Sequence, residues 1–276
     1  MEKKDLFDFL LYFTGIHILR LKALKIKNWP LVRFLVFHDV PPRHRIQFEN
    51  NISLLRKYTK IISINDLVEG KLSVDQLNIV LTFDDGFKNW VDVVLPILQK
   101  YNLNATFFIS SGLIQDDSRG HNKILRPPYL KSRIIANRSN QLSINDIIEI
   151  TKGGNIIGSH TVSHVSVKSY FLNLEKEILW DKQNLEEITG SKVKYFAYPF
   201  GLVNDHDKKL GEILKGYDFE AAVTLDPGFN TISTNRYFLH RDIVRSNMNS
   251  FVFLSRSIGN DDLNIMHFIR KYLGRI

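Results

Sequence analysis

The fold of this chain follows from one stretch of sequence, Ile79-Val80-Leu81-Thr82-Phe83-Asp84-Asp85-Gly86, in which an apolar run ends on two carboxylates and a glycine. A second run, Asn155-Ile156-Ile157-Gly158-Ser159, ends on His160-Thr161-Val162-Ser163-His164. The first run is β-rich and bounded by glycine, which is typical of a central strand buried in a parallel sheet. Because chemistry collects at the carboxyl ends of parallel strands, we expect both polar clusters at that end of the sheet.

The two polar clusters together predict a divalent metal site. A zinc-type catalytic site uses three nitrogen or oxygen ligands and leaves a position open for water, and one aspartate with two histidines supplies that number. At a strand end before Gly86, Asp84 and Asp85 can reach one pocket from different directions. One would bind the ion and the other would accept a proton from water. Taken singly, the first cluster also fits a plain turn and the second a chance His-x-x-x-His, but their occurrence together favours a site.

Composition bounds the class of protein. The chain has 276 residues and 44% hydrophobic content, so it can bury a full core. It has no cysteine, which excludes disulfides and cysteine-based zinc sites and leaves the compartment open. The net charge of +8 favours anionic partners. Because the basic residues are scattered and no DNA- or RNA-binding motif is present, we interpret them as a solvated surface and expect no nucleic-acid partner.

The N-terminal segment 6–27 is apolar at first and then basic. Asp8 and His17 interrupt its apolar part, which is too short and too polar to span a bilayer. No small-residue cleavage site follows, which weakens the case for a signal peptide. Peripheral membrane association through residues 6–27 and a helix packed on the domain both remain open. A cytoplasmic or peripheral membrane location is favoured over secretion.

The rest of the chain alternates strands and helices. This alternation predicts parallel strands joined by right-handed crossovers, and hence a distorted TIM-like (β/α) barrel of six to eight parallel strands. We expect one domain over residues 1–276, with a helical extension at 1–30, a core at about 31–245 and a C-terminal helix at about 261–273. Pro96 inside the helix predicted near residues 90–98 indicates a kink or a late start. The predicted strands cover residues 31–37, 79–83, 105–109, 155–159, 192–198, 219–224 and 237–244, and the other predicted helices cover 47–58, 143–152, 172–188 and 206–215.

Three motifs give the chain a family resemblance. Leu81-Thr82-Phe83-Asp84-Asp85-Gly86, Ala105-Thr106-Phe107-Phe108 and His160-Thr161-Val162-Ser163-His164 resemble the polysaccharide deacetylase (NodB-homology) family, carbohydrate esterase family four. The resemblance spans about residues 31–245 and implies metal-dependent removal of acetyl groups from sugars, usually the N-acetyl group of N-acetylglucosamine. By this resemblance Asp84 is the catalytic base. Asp85, His160 and His164 bind one divalent ion, for which zinc is the first expectation.

The third family motif departs from its usual form. Where the family has Arg-x-Pro-Tyr, this chain has Tyr198-Pro199-Phe200 after Ala197. By resemblance the backbone N–H of Phe200 helps to stabilise the oxyanion, and Tyr198 and Pro199 belong to the same substrate-facing motif. The absent arginine normally braces the catalytic aspartate. Arg126-Pro127-Pro128-Tyr129 matches the pattern letter by letter, but it precedes the histidine motif, so we interpret it as a coincidence and leave a substrate contact open.

The late motif also departs from the family pattern. In one subgroup a late strand carries Leu-Pro-Arg, and here Leu239-His240-Arg241 stands at that place. Arg241 would therefore replace the missing brace on Asp84. That subgroup also has an early strand that ends in Tyr-His-x-Val, here Phe37-His38-Asp39-Val40, whose histidine is placed as the general acid. We favour His38 over His240 as the acid, and a histidine bonded within the barrel top is the alternative for His38.

The resemblance implies a metal-dependent deacetylase that acts on an acetylated polysaccharide or oligosaccharide. The sequence does not predict the oligomeric state. The rings of Trp90, Tyr129 and Tyr198 are candidates to stack on sugar rings, with packing as the alternative. Two other functions stay open: the same metal chemistry on O-acetyl or other amide bonds, and a glycan-binding protein with a degenerate site, which the absent arginine favours.

Overall fold

In the computed structural model, the described residues are 30–115, 124–126, 140–166, 173–201 and 208–259. The expected N-terminal extension with segment 6–27, the expected C-terminal helix at 261–273 and Tyr129 lie outside these ranges. No helix within them is long and apolar enough to cross a membrane.

The strands of these ranges form one nearly closed barrel, which confirms the predicted fold. The strand pairings are all parallel, and the order around the sheet is β7-β6-β5-β4-β3-β1-β8, with β2 paired to the start of β3. A bridge between Val223 and Leu239 brings β7 against the chain just before β8 and nearly closes the ring. The strands are β1 Val32–Phe37, β2 Lys60–Ile62, β3 Asn78–Asp84, β4 Thr106–Ile109, β5 Ile156–Ser159, β6 Tyr195–Ala197, β7 Ala221–Val223 and β8 Arg241–Ile243.

Helices cover the outside of the barrel. Ser143 caps one of them in a reciprocal capping box with Asp146. A π-helical turn at Trp90–Val94 precedes the next α-helix, which begins at Leu95. Pro96 therefore lies in the first turn of that helix, where a backbone N–H has no partner within the helix and its absence is tolerated. The helices are α1 Arg45–Tyr58, α2 Ile64–Val68, α3 Leu95–Lys100, α4 Ile144–Lys152, α5 Leu174–Thr189, α6 Lys208–Gly216 and α7 Ser250–Ser257.

Two apolar layers hold the barrel together, one on each side of the strands. Inside, Phe34, Val80 and Phe108 pack against side chains from the other strands. Outside, beneath the helices, the Phe83 ring stacks on Phe37 at 5.3 Å and on Phe107 at 4.9 Å between centroids. Since side chains alternate along a strand, Phe83 faces the helices and Asp84 faces the barrel interior. The strand therefore delivers a carboxylate to the carboxyl end of the barrel.

Candidate active site

Unusual backbone geometry concentrates where the two polar clusters meet. Asp85, Thr161, His164 and Phe200 all have positive φ, at 86°, 62°, 53° and 62°. A non-glycine residue in this region costs about 1–3 kcal/mol and persists only where the surrounding structure holds it. Such strain is typical of functional sites, and here it aims side chains from three separate strand ends at one place.

The predicted metal ligands converge. The Oδ1 atom of Asp85 lies 3.1 Å from Nε2 of His164 and 3.5 Å from Nε2 of His160. One ligand atom from each residue lies within 4.8 Å of the others. His160 is buried, and its Nδ1 lies 2.7 Å from the carbonyl oxygen of Ala197. Because that carbonyl can only accept, Nδ1 carries a proton, which leaves Nε2 as the ring nitrogen that can bind a metal ion.

The electrostatics of this cluster suit a cation. Asp85 Oδ1 is buried and makes no directed hydrogen bond, although two imidazole nitrogens face it. Burial alone would raise the pKa of Asp85, but interactions with His160 and His164 outweigh it and hold that pKa well below its usual range. The carboxylate is therefore ionised at neutral pH, as a metal ligand must be. The donor set, one carboxylate oxygen and two imidazole nitrogens, fits a zinc-type ion.

Asp84 stands beside the metal cluster in a buried ion pair. Arg241, which comes from β8, donates from Nη1 to Asp84 Oδ1 at 2.8 Å and from Nη2 to Oδ2 at 2.6 Å. Its Nε donates to the carbonyl oxygen of Thr224 at 2.7 Å, so the guanidinium is fixed from both sides. The structure thus puts Arg241 where the sequence predicted a substitute for the missing brace. Each carboxylate oxygen of Asp84 keeps a second lone pair for a further donor.

His38 lies at the mouth of the barrel. It follows β1, and the pairing of Phe37 with Phe83 puts it level with Asp84 on the neighbouring strand. Trp90 Nε1 donates to the His38 carbonyl oxygen at 2.8 Å, which anchors the backbone there. The His38 side chain is half-buried, and its imidazole makes no hydrogen bond or ion pair within the described ranges.

His240, the alternative acid, lies elsewhere. It immediately precedes β8 and, by strand alternation, its side chain points to the face opposite Arg241. Continuing the pairing of Arg241 with Phe34 puts His240 level with Ile79, five residues before Asp84. Its backbone exchanges two hydrogen bonds of 2.9 Å with the side chain of Asn230. His240 therefore lies below the barrel mouth, with its side chain on the outer face of the strand.

The third motif contributes a backbone group and an exposed ring. Phe200 is 59% exposed, and its ring meets that of His164 edge-on at 4.8 Å between centroids. In the part of the chain that the structure describes, its backbone N–H has no hydrogen-bond acceptor. Pro199 beside it is buried. Phe200 therefore puts an exposed apolar ring against His164, and its backbone N–H is unpaired within the described ranges.

Two of the three candidate aromatic rings take the packing role that the sequence left open. Tyr198 is buried, its hydroxyl donates to the carbonyl oxygen of Tyr237 at 3.0 Å, and its ring stacks on Phe238. Trp90 is buried against Phe83 and Phe107. Both rings pack in the core and neither faces the barrel mouth, because alternation turns Tyr198 away from the interior and the turn at Trp90 packs on the outer layer.

Arg126 does not take part in the ion pair with Asp84. Its Nε donates to the carbonyl oxygen of Gly112 at 3.0 Å and its Nη2 to that of Ile114 at 3.1 Å. These bonds fasten a loop, which agrees with the interpretation of the literal Arg-x-Pro-Tyr match as a coincidence. Residues 127–129 lie outside the described ranges.

Two acidic residues behind the histidine motif are not among the predicted site residues. Glu177 and Asp181 of α5 are fully buried and accept hydrogen bonds from the segment that carries His160 and His164. Burial raises the pKa of Asp181 to about 6, against the hydrogen bonds from Ser111, Ser159 and His160 that lower it. The sequence does contain a signal for the burial of Asp181, because helical spacing places it between Ile178 and Leu185 on the buried face of an amphipathic helix.

Gly201 supports the position of Phe200, and its replacement gives a testable prediction. Its φ is +64°, and a Cβ there would lie 2.1 Å from Cγ of Leu225. We expect Gly201→Ala to lower the free energy of unfolding by about 1–3 kcal/mol more than Gly190→Ala does. Gly190 is the matched control because it has nearly the same φ, +65°, but a Cβ added there would have no atom within 4 Å. Urea denaturation measures the difference, and equal losses would contradict the close packing at Gly201.

Comparison with known proteins identifies the family. A polysaccharide deacetylase family model matches residues 71–222, more than half of the chain, so the chain belongs to the polysaccharide deacetylase family. The Bacillus subtilis (strain 168) protein YxkH, which carries the name of a polysaccharide deacetylase, is 26% identical over 176 residues. That alignment covers 63% of this chain and 54% of YxkH, so the chain spans about half the length of this relative.

Solved structures share the fold. The Streptococcus pyogenes deacetylase PplD in complex with acetate superposes with a TM-score of 0.63 at 19% identity, covering 83% of this chain and 97% of PplD. IcaB from Ammonifex degensii superposes with a TM-score of 0.65 at 21% identity, covering 82% of this chain and 96% of IcaB. At these identities the likeness establishes the barrel alone.

Proposed function

We propose that this protein is a metal-dependent deacetylase that hydrolyses N-acetyl groups of sugar residues, of N-acetylglucosamine type, in a polysaccharide or glycan precursor. The observation that carries the proposal is the convergence of Asp85, His160 and His164 beside an aspartate in a buried ion pair, all at the carboxyl end of the barrel. Membership in the polysaccharide deacetylase family supports the reaction class. The sugar type rests on the resemblance of the motifs.

Each residue of the site has a distinct task in this proposal. Asp85, His160 and His164 would hold the ion, which when bound supplies a Lewis acid that polarises the acetyl carbonyl and lowers the pKa of water. Asp84 accepts the proton of the attacking water, and Arg241 fixes the orientation of that carboxylate.

The other two tasks are stabilisation of the oxyanion and protonation of the leaving amine. The backbone N–H of Phe200 donates to the oxyanion as negative charge develops on the acetyl oxygen. His38, level with Asp84 at the mouth, gives a proton to the leaving amine. Acetate and a free amino sugar result. The ion pair between Arg241 and Asp84 weakens the alternative of a degenerate binding protein, because that alternative rested on a catalytic aspartate without an arginine partner.

Replacing His38 and His240 one at a time tests which of the two histidines is the general acid. We expect His38→Ala to lower kcat by about 10²-fold or more with zinc content unchanged, because the departing amine loses its proton donor. We expect His240→Ala to stay close to wild type, since that side chain faces away from the site. Steady-state kinetics of acetate release and elemental analysis of both variants give the answer. A larger loss in His240→Ala would reverse the assignment.

Acetate release across defined substrates tests the proposed function. Zinc-loaded protein is incubated with an N-acetylglucosamine oligosaccharide and, separately, with an O-acetylated xylan oligosaccharide, with Asp84→Asn protein as the blank. We expect acetate from the N-acetylated substrate. Acetate from the O-acetylated substrate alone would replace the proposal by an esterase of the same metal chemistry. A metal-loaded protein that releases no acetate but binds the oligosaccharide would replace it by a glycan-binding protein.

A further inference from the structure

Helix α5 presents two buried carboxylates to the segment that carries the metal-binding histidines. Asp181 accepts from Ser111 N–H at 2.7 Å through Oδ1, and from Ser159 Oγ at 2.6 Å and His160 N–H at 2.8 Å through Oδ2. One turn earlier, Glu177 accepts from the N–H of Ser163 at 2.9 Å and from its Oγ at 2.7 Å. The two side chains lie on the same face of the helix because they are four residues apart.

These contacts fix the backbone on which both histidine ligands depend. Five hydrogen bonds run from residues 159–163 to α5, the fifth from Val162 N–H to the carbonyl oxygen of Glu177 at 3.1 Å. Thr161 lies in this segment and His164 directly follows it, and both have a positive φ that persists only with support from the surrounding structure. Four of the five bonds are accepted by carboxylate oxygens, which are stronger acceptors than neutral groups, and together the five bonds hold these conformations.

We propose that Asp181 and Glu177 are positioning residues of the metal site, which set its affinity for a divalent ion by fixing His160 and His164 without touching the ion. The proposal rests on the metal site of the proposed function. A purely packing role explains the pair poorly, since burial of a carboxylate carries a desolvation cost that an apolar side chain would not carry. The bonds to the histidine segment are what offset that cost.

Asp181 and Glu177 differ in how well an amide could replace the carboxylate, because different hydrogen-bond donors face them. At Asp181, Ser111 and His160 both present backbone N–H groups, which cannot reverse their polarity. The amide of Asp181→Asn has a single oxygen, so one of these N–H groups would face an NH₂ group. Of the two groups that Ser163 presents to Glu177, the backbone N–H is a fixed donor, whereas the hydroxyl can rotate to accept from an amide. Glu177→Gln can therefore keep both bonds to Ser163.

Zinc affinity tests the proposal without reference to catalysis. The full chain is stripped with a chelator and titrated with zinc against a chromophoric competitor, in wild type, Asp181→Asn, Glu177→Gln and Glu186→Gln. Glu186→Gln is the matched control, because its carboxylate lies on the same helix and accepts the N–H of Val193 at 2.9 Å, away from the histidine segment. We expect Asp181→Asn to bind zinc about 10–100-fold more weakly, and the other two variants to bind like wild type.

The outcomes separate this inference from the proposed function. Wild-type zinc affinity in folded Asp181→Asn would overturn the inference. So would an equal loss of zinc affinity in Glu186→Gln, because that result would indicate general loosening of the helix. Wild-type protein without zinc affinity would overturn the metal site and the inference with it. A zinc-binding wild type that releases no acetate would overturn only the proposed function. Should Asp181→Asn fail to fold, Ser159→Ala removes one of the three bonds, and unchanged zinc affinity there would count against the inference.

Discussion

Asp84→Asn is expected to abolish acetate release while the protein keeps its zinc. The loss in kcat should be about 10²–10⁴-fold, because the amide cannot take a proton from water. Asp85, His160 and His164 are untouched, so the three ligand atoms stay together. One amide oxygen still accepts from Arg241, but the amide NH₂ faces the second guanidinium N–H, so the fold of the variant is checked together with its activity.

Kinetics and elemental analysis of the same Asp84→Asn sample test this expectation. Acetate release is followed with saturating N-acetylated oligosaccharide, and zinc per chain is measured in parallel with wild type. Thermal unfolding of both samples controls for loss of the fold. Retained turnover would exclude Asp84 as the base. Loss of zinc in the variant would instead make Asp84 part of the ligand set.

Arg241→Met is expected to cost stability as well as activity. It leaves Asp84 buried with no cationic partner, and breaking a buried pair in this way lowers the free energy of unfolding by about 3–5 kcal/mol. Urea denaturation of Arg241→Met, Asp84→Asn and the double variant measures the coupling between the two side chains. We expect the double variant to be more stable than the sum of the single losses predicts. Strict additivity would contradict the ion pair.

A second arginine provides the matched control for Arg241. Arg33 is equally buried and pairs with Asp242 at 2.6 Å. Because Phe34 next to it on β1 faces the barrel interior, the Arg33 side chain points to the outer face of the strand. Arg33→Met should lose stability on a similar scale and keep its kcat. An equal loss of kcat in both variants would mean that the activity of Arg241→Met falls through instability alone.

The sequence predicts the centre of the barrel better than its closure. Strands β3 and β5 are readable because an unbroken apolar run ends abruptly on polar residues. The predicted strand at 192–198 shortens to Tyr195–Ala197, since the N–H of Val193 bonds to the side chain of Glu186 instead of a neighbouring strand. The predicted strand at 237–244 begins as a short helix at Arg236–Phe238. Strand β2 and helices α2 and α7 were not predicted; β2 and α2 are too short to show a clear period.

The site was predictable where a motif marks its residues and was missed where only packing does. Asp84, Asp85, His160 and His164 lie in two contiguous motifs that end β3 and β5, and these strands are separated only by β4, so the convergence follows from neighbouring ends of one parallel sheet. The contact of Arg241 with Asp84 joins residues 157 positions apart and depends on how the barrel closes. The side to which Tyr198 points depends on where β6 ends, which its composition does not show. Asp181 had a signal, a carboxylate at a core position of α5, but its partner segment is known only from the fold.

Zinc-dependent acetate release tests the central claim most directly. Chelator-stripped wild-type protein is titrated with zinc, and acetate from an N-acetylglucosamine oligosaccharide is measured at each addition, beside His160→Ala protein as the control for the ligand set. We predict that activity rises with zinc until one ion per chain is bound, and that His160→Ala neither binds the ion at that ratio nor gains activity. Activity in the stripped protein that zinc does not change, or a wild type that binds no zinc, would contradict the account.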